Sequence, residues 1–291
     1  LVDSVRGATR YLVSNENYAE VDDSTFVASL DSDGFTVGDD VVVNTSTENY
    51  VSWNWKGDGV AGGTLNEDGT IDSQVNVNTT AGFSIVSYTG QVAAGTIGHG
   101  LSQAPELIIA KIRSSADTWW AGSDYLTSWV YKLILNDTSA EAAKAALWNS
   151  TAPTADVFSV GTDGLNGVDG RTYVAYCFHS VEGYSKVGAY EGNANADGPF
   201  IYTGFQPAFI IIKAVDQAGA SWFLLDDKRD PYNVVNHELY ADGNSAESTG
   251  SRAIDFVSNG FKCRGNDALN YASTMLYYAV AELPFQTSNA R

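Results

Sequence analysis

Asp226-Asp227-Lys228-Arg229-Asp230 is the densest run of charge in the sequence, and it directly follows the apolar stretch Trp222 to Leu225. Two carboxylates flanking a glycosidic bond can serve as general acid and as base or nucleophile, and they need not be close in sequence. On that chemistry the run is either an acid pair or a polar ligand site beside Trp222 and Tyr232. The plainer alternative is a solvated loop in which Arg229 and Asp230 neutralise one another, and it is preferred. Trp119-Trp120 is the second candidate. Neighbours in a strand face opposite sides. One of the two rings should therefore point outward, free to stack on a sugar or to pack in a subunit contact. The candidate ligand-binding set is Trp119, Trp120, Trp222, Asp226, Asp227 and Tyr232, with no catalytic residue and no metal ligand in it.

The remaining chemistry-bearing residues read as structural. His99, His179 and His237 have neither HExxH nor zinc-finger spacing and are expected in turns or at the surface. Asp31-Ser32-Asp33-Gly34, Asn66-Glu67-Asp68-Gly69 and Asp163 to Asp169 place oxygens near glycine, as a calcium loop would. None has the full EF-hand length, and Asp-Gly and Asn-Gly also populate hairpin turns. Turn chemistry is preferred to Ca2+, and no cofactor is expected. Cys177 and Cys263 are too few for a disulfide framework and are expected to be small apolar fillers. The chain is read as a binding or structural protein rather than an enzyme.

The elements that position these residues recur. Pro105, Lys111 and Trp120 reappear as Pro207, Lys213 and Trp222, each at an offset of 102 residues. Phe83 to Gly90 returns as Tyr184 to Gly192, and Ser139-Ala140-Glu141 as Ser245-Ala246-Glu247, with Tyr18-Ala19-Glu20 a weaker third copy. Tyr50-Val51-Ser52-Trp53, Tyr173-Val174-Ala175-Tyr176 and Met275-Leu276-Tyr277-Tyr278 form a further set. This predicts an incomplete repeat over 1–56, a back half lacking its front half. A Gly-, Asn- and Thr-rich linker or arm follows over 57–82, then complete units over 83–183 and 184–291. The half-unit must expose an apolar face unless something covers it. Upstream sequence or docking in an assembly is the favoured source; the chain opens Leu1-Val2-Asp3 without a methionine and reads as part of a longer protein or a processed product. Aromatic and β-branched runs between Gly, Asn and Asp signals give an all-β class. The expected architecture is tandem β-sandwich or jelly-roll-like repeats of about 100 residues, each with at most one short helix. Ala140 to Leu147, capped by Thr138 or Ser139, is the predicted helix of the first complete unit.

Composition narrows the partners. Thirty-five acids against sixteen bases give a net charge of −19, which repels phosphate backbones and argues against nucleic acid. No apolar run is long enough for a spanning helix, and no membrane insertion is expected. Several segments then carry a resemblance: Asp3-Ser4-Val5-Arg6-Gly7-Ala8, Ser32-Asp33-Gly34-Phe35, Tyr50 to Lys56, Asp68-Gly69-Thr70-Ile71, His99-Gly100-Leu101, Trp148 to Pro153 and Pro284 to Arg291. In combination they resemble a repeat domain of bacteriophage tail-fibre and related virion proteins, especially of marine and cyanobacterial phages. The resemblance implies a structural or adhesive role on a virion. It also implies a homo-oligomer (a trimer), contacts with other virion proteins, and a host cell-surface glycan or protein as receptor. A capsid decoration or head-fibre protein without a receptor is the alternative, and a glycan depolymerase using Asp226 or Asp227 a further one.

Overall fold

The computed structural model describes residues 1–282; Pro284 to Arg291, read above as a family-like C-terminus, lie outside the described residues. The protein is all-β. The N-terminal segment holds β1 (Val2–Asp3), β2 (Gly7–Tyr11), β3 (Val21–Asp22), β4 (Val27–Leu30), β5 (Phe35–Val37) and one short helix, α1 (Val41–Asn44). Next come β6 (Thr64–Asn66), β7 (Ser73–Asn78), β8 (Phe83–Thr89), β9 (Gly95–Gly98) and β10 (Leu107–Ile112). They continue through β11 (Trp119–Ser123), β12 (Tyr131–Ile134), β13 (Ala142–Ala143), β14 (Val157–Val160) and β15 (Thr172–Phe178). The last third holds β16 (Ser185–Glu191), β17 (Phe200–Tyr202), β18 (Pro207–Ala214), β19 (Phe223–Asp226), β20 (Val235–Tyr240), β21 (Ser248–Val257), β22 (Gly260–Cys263) and β23 (Thr274–Ala281).

Two eight-stranded antiparallel sheets dominate. The middle sheet runs β13-β12-β11-β10-β15-β8-β7-β6 and the C-terminal sheet β16-β23-β18-β19-β20-β21-β22-β17. Read from β8 and from β16, six strands follow in the same order in each sheet. The pairing of β14 with β9 has its counterpart in β22 with β17.

The central strands read as continuous apolar runs because both of their faces are covered. Along β15, Tyr173, Ala175 and Cys177 enter the core inside the middle unit, while Val174, Tyr176 and Phe178 enter a second core. In β23, Met275, Tyr277 and Ala279 face the interior of the C-terminal unit, and Leu276 and Tyr278 face that same second core. Leu12 of the N-terminal segment is buried there too, with Trp53 and Trp55 packed against it. One apolar cluster thus joins all three parts of the chain.

Polar contacts repeat across these joints. Trp119 Nε1 donates to Val13 O (2.9 Å) and Lys111 Nζ to Asn17 O (3.2 Å), while Glu20 N donates to Arg113 O (2.8 Å). One joint further on, Trp222 Nε1 donates to Ile134 O (2.8 Å), Lys213 Nζ to Thr138 O (3.3 Å) and Glu141 N to Val215 O (2.6 Å). Each part lends the same three backbone groups to the next. The structural partner of Trp222 is therefore Trp119, at an offset of 103 residues, and not Trp120.

Three expectations need correction. Residues 140–147 form no helix: Glu141 N and Lys144 N bond to Val215 O and Val130 O. Those tertiary partners draw the alanine-rich stretch into β13 and turns, overriding its local propensity. The stretch 57–82 is no bare linker, because β6 and β7 form a hairpin that extends the middle sheet beyond β8. His99 and His179 are buried rather than at the surface; His99 Nε2 lies 3.1 Å from Thr154 O, and its Nδ1 accepts from Leu101 N. Both cysteines are free and buried, and burial pushes each thiol up to about 12.

Candidate functional site

The six sequence candidates do not come together. Trp119 and Trp222 are fully buried, each donating its indole N–H to a backbone carbonyl of the preceding part of the chain. They are joints, not stacking platforms. Trp120 does point away from that joint, but Lys132 and Lys144 lie over its ring at 5.8 and 5.1 Å, so its face is taken. Asp226 is buried. Its Oδ1 accepts from Lys228 N and Arg229 N, and its Oδ2 accepts from Arg229 Nε (2.7 Å) and Trp53 Nε1 (3.3 Å). Arg229 thus pairs with Asp226 and with Glu247 (3.1 Å), while Asp230 pairs with His237. The expected Arg229–Asp230 neutralisation is replaced by these pairs.

Only Asp227 and Tyr232 share a concavity. With Asp230, Pro231 and Gln206 they line a cleft of about 60 Å³. Burial raises the Asp227 carboxyl above the usual range. Asp226 faces Trp53 instead, so the two acids do not converge on one site. Among the described residues no group of three or more His, Cys, Asp or Glu side chains is arranged to hold a metal.

The larger concavity is a groove of about 370 Å³ between the two edge strands of the C-terminal sheet. Lys186, Gly188 and Ala189 of β16 form one wall, and Phe200 and Tyr202 of β17 the other; Tyr277 of β23 forms the floor and Tyr125, after β11, one end. Why β17 presents two rings is a matter of strand period. Phe200 and Tyr202 are two residues apart and share a face, while Ile201 between them is buried. Phe200 is 48% and Tyr202 61% exposed. Lys186 spans the seam: its Nζ donates to Tyr202 O (2.9 Å) and sits 5.6 Å from the centre of the Tyr202 ring. Gly188 leaves the floor open, because a Cβ there would fall 2.6 Å from the Tyr277 hydroxyl. Burial, together with Tyr125 and Glu106 nearby, raises the Tyr277 phenol, so it stays a neutral hydroxyl. One aromatic wall, an ammonium opposite it and neutral hydroxyls suit the C–H faces and hydroxyls of a sugar.

The groove exists because the same seam is filled in one sheet and open in the other. In the middle sheet β7 pairs with β8, and Ile71 bridges to Ile97 of β9. Ser73 Oγ donates to Gly98 O (2.8 Å). The β6–β7 hairpin thereby occupies the space beside β8 and β9. Among the described residues no strand pairs with the outer edges of β16 and β17; a lone bridge from Val181 to Ser185 touches only the start of β16. Sequence reasoning passed over Phe200 and Tyr202, although aromatic residues at i and i+2 flanking a lone isoleucine were a legible signal for a two-ring face.

Fold and groove together define an all-β protein built on two large antiparallel sheets, with an open aromatic seam. The chain belongs to the family described as a domain of unknown function, DUF7483, which matches residues 1–284. No curated protein and no solved structure matches it.

Proposed function

We propose that the protein is a structural and adhesive segment of a bacteriophage tail fibre or appendage, presenting the β16–β17 groove to a glycan on the host surface. The observation that carries this reading is the pair of exposed rings, Phe200 and Tyr202, on one wall of an open groove with Lys186 opposite. The virion setting, the homotrimeric assembly and the contacts with other virion proteins come from the resemblance of the repeated segments. The net charge of −19 supports a neutral rather than an acidic polysaccharide. The role proposed is binding rather than catalysis, and it calls on no metal or other cofactor; the commitment of Asp226 to Arg229 and Trp53 speaks against that carboxylate as a catalytic acid.

The second reading is a capsid decoration or head-fibre protein, in which exposed aromatics serve subunit contacts. It is favoured by the exposed apolar side chains of the N-terminal segment, Val41, Val42 and Tyr50 among them.

Calorimetric titration with polysaccharide from a phage-sensitive host separates the two. Each aromatic platform is worth about 1 kcal/mol beyond its area. The double substitution Phe200→Ala and Tyr202→Ala should therefore weaken binding by about 30-fold, with the melting temperature nearly unchanged. Equal affinity in the double variant would remove the groove as the site. Absence of any binding by the unaltered chain would favour the decoration reading.

A further inference from the structure

The N-terminal segment repeats the back half of the two sheeted units and leaves open the face that their front halves cover. Its hairpin β4–β5 pairs Leu30 with Phe35, as β21–β22 pairs Phe256 with Phe261 after a similar turn. Phe261 and Cys263 of β22 are buried, and so are Phe158 and Val160 of β14, because β17 and β9 lie alongside. Phe35 and Val37 of β5 are 39% and 37% exposed, and among the described residues β5 has no second neighbour strand.

Residues 50–56 show the same deficit. Their counterparts β15 and β23 are central strands, the first between β10 and β8 and the second between β18 and β16. Among the described residues, 51–55 belong to no strand and make no main-chain hydrogen bond. Tyr50 is 53% exposed where Tyr173 and Met275 are buried.

The segment is nonetheless held in place for completion. Trp53 meets Asp226 and Arg229, its Nε1 donating to Asp226 Oδ2 and Arg229 lying 5.8 Å from its ring. Tyr176 of β15 meets Asp3 and Arg6 in the same way, its hydroxyl donating to Asp3 Oδ2 at 2.7 Å and accepting from Arg6 Nη2 at 3.1 Å. Trp55 donates to the Tyr278 hydroxyl (3.2 Å) and packs in the shared central cluster. The open face is therefore continuous with the joints already formed between the other parts.

We infer that this face is a strand-acceptor site. Its occupant is a partner segment patterned like β16, β17 and β18, which lays one strand beside β5 and one on each side of residues 50–56. Main-chain pairing would supply the affinity of such an addition, and apolar side chains over Phe35 and Tyr50 its specificity. The inference does not depend on the glycan reading.

The test uses the full chain with and without a donor. Leu1 and Leu224 occupy equivalent places, since Arg6 Nη2 donates to Leu1 O (2.9 Å) and Arg229 Nη2 to Leu224 O (3.0 Å). A second copy of residues 183–223 is therefore fused directly before Leu1, and amide hydrogen exchange is followed at 51–55, which lie outside any strand. In the unfused chain those amides should exchange almost unprotected; protection there would overturn the inference, because the face would already be closed. In the fusion they should slow by about 100-fold or more, and the Trp53 and Trp55 emission should shift to the blue. A copy of residues 82–120 serves as a second donor in case the first misfolds. Failure of both to protect 51–55 would overturn the inference. Phe35→Asp adds a third arm: it should leave the unfused chain's melting temperature unchanged and abolish the donor's effect, and destabilisation of the unfused chain would count against an open face.

Discussion

Arg6 shows how much one side chain can hold at a joint. Its guanidinium is wholly buried and spends its donors on the Asp3 and Glu20 carboxylates, Leu1 O and the Tyr176 hydroxyl. Burial opposes its charge, but these partners hold its pKa above the ordinary value. Removing one partner of a buried ion pair leaves the other uncompensated, at about 3–5 kcal/mol. Urea unfolding of Arg6→Leu should show a loss of that size, and a loss below about 1 kcal/mol would mean that the network is solvated. Glu20 titrates with the same network. Although burial works against it, hydrogen bonds from Arg113 and Arg6 hold its carboxyl below the ordinary value. A depressed carboxyl contributes stability above its unfolded pKa and loses it as pH falls through the folded one. The advantage of the unaltered chain over Glu20→Gln should therefore shrink on acidification through the carboxylate range.

Lys213 works in the opposite sense. Burial lowers its folded value to about 8 from 10.5. Between those values the unfolded chain still binds a proton that the folded chain has released, so this group adds stability as pH rises. Relative to Lys213→Met, the unaltered chain should gain stability from pH 8 to 9.5, measured as the shift in urea midpoint. A constant difference across that window would mean that the lysine stays charged in the fold.

At the scale of elements, paired edges decide what is core and what is site. β16 carries Gly188 where a Cβ would collide with Tyr277, so Gly188→Val should overpack the groove floor and cost about 1–3 kcal/mol. Denaturant unfolding measures that cost, and glycan binding should fall with it. The strands themselves were legible in sequence. Runs such as Leu107 to Ile112 and Tyr173 to Phe178 are apolar on both faces, which only a doubly covered strand requires. Ala140 to Leu147 misled because its helix propensity is local, whereas the partners that claim its backbone, Val215 and Val130, are remote in sequence. The Asp226 cluster misled for a related reason. Charge density marked it as a site, but Arg229 sits three residues on and Glu247 folds back to it, so the charges satisfy one another inside the joint.

For the whole molecule, one apolar cluster draws side chains from the N-terminal segment and both large sheets. No sheet can leave without exposing the shared face. Far-UV circular dichroism and tryptophan emission should therefore report one coincident urea transition; two separated transitions would mean that the parts fold independently. What the sequence determined by itself was the all-β class, because strand period and β-branched runs are properties of short stretches. The Lys111/Lys213 correspondence was also in the sequence, since both lysines kept the same work at successive joints. Tertiary structure alone decided which indole is buried, which acid is spent on a partner, and which seam is open. Those depend on what lies alongside in the folded chain: β7 closes the space beside β8, among the described residues no strand does so beside β16, and the buried indoles are met by carbonyls from far earlier in the chain. A neighbour contributed by a distant part of the chain leaves no mark on the local spacing of the residues it covers.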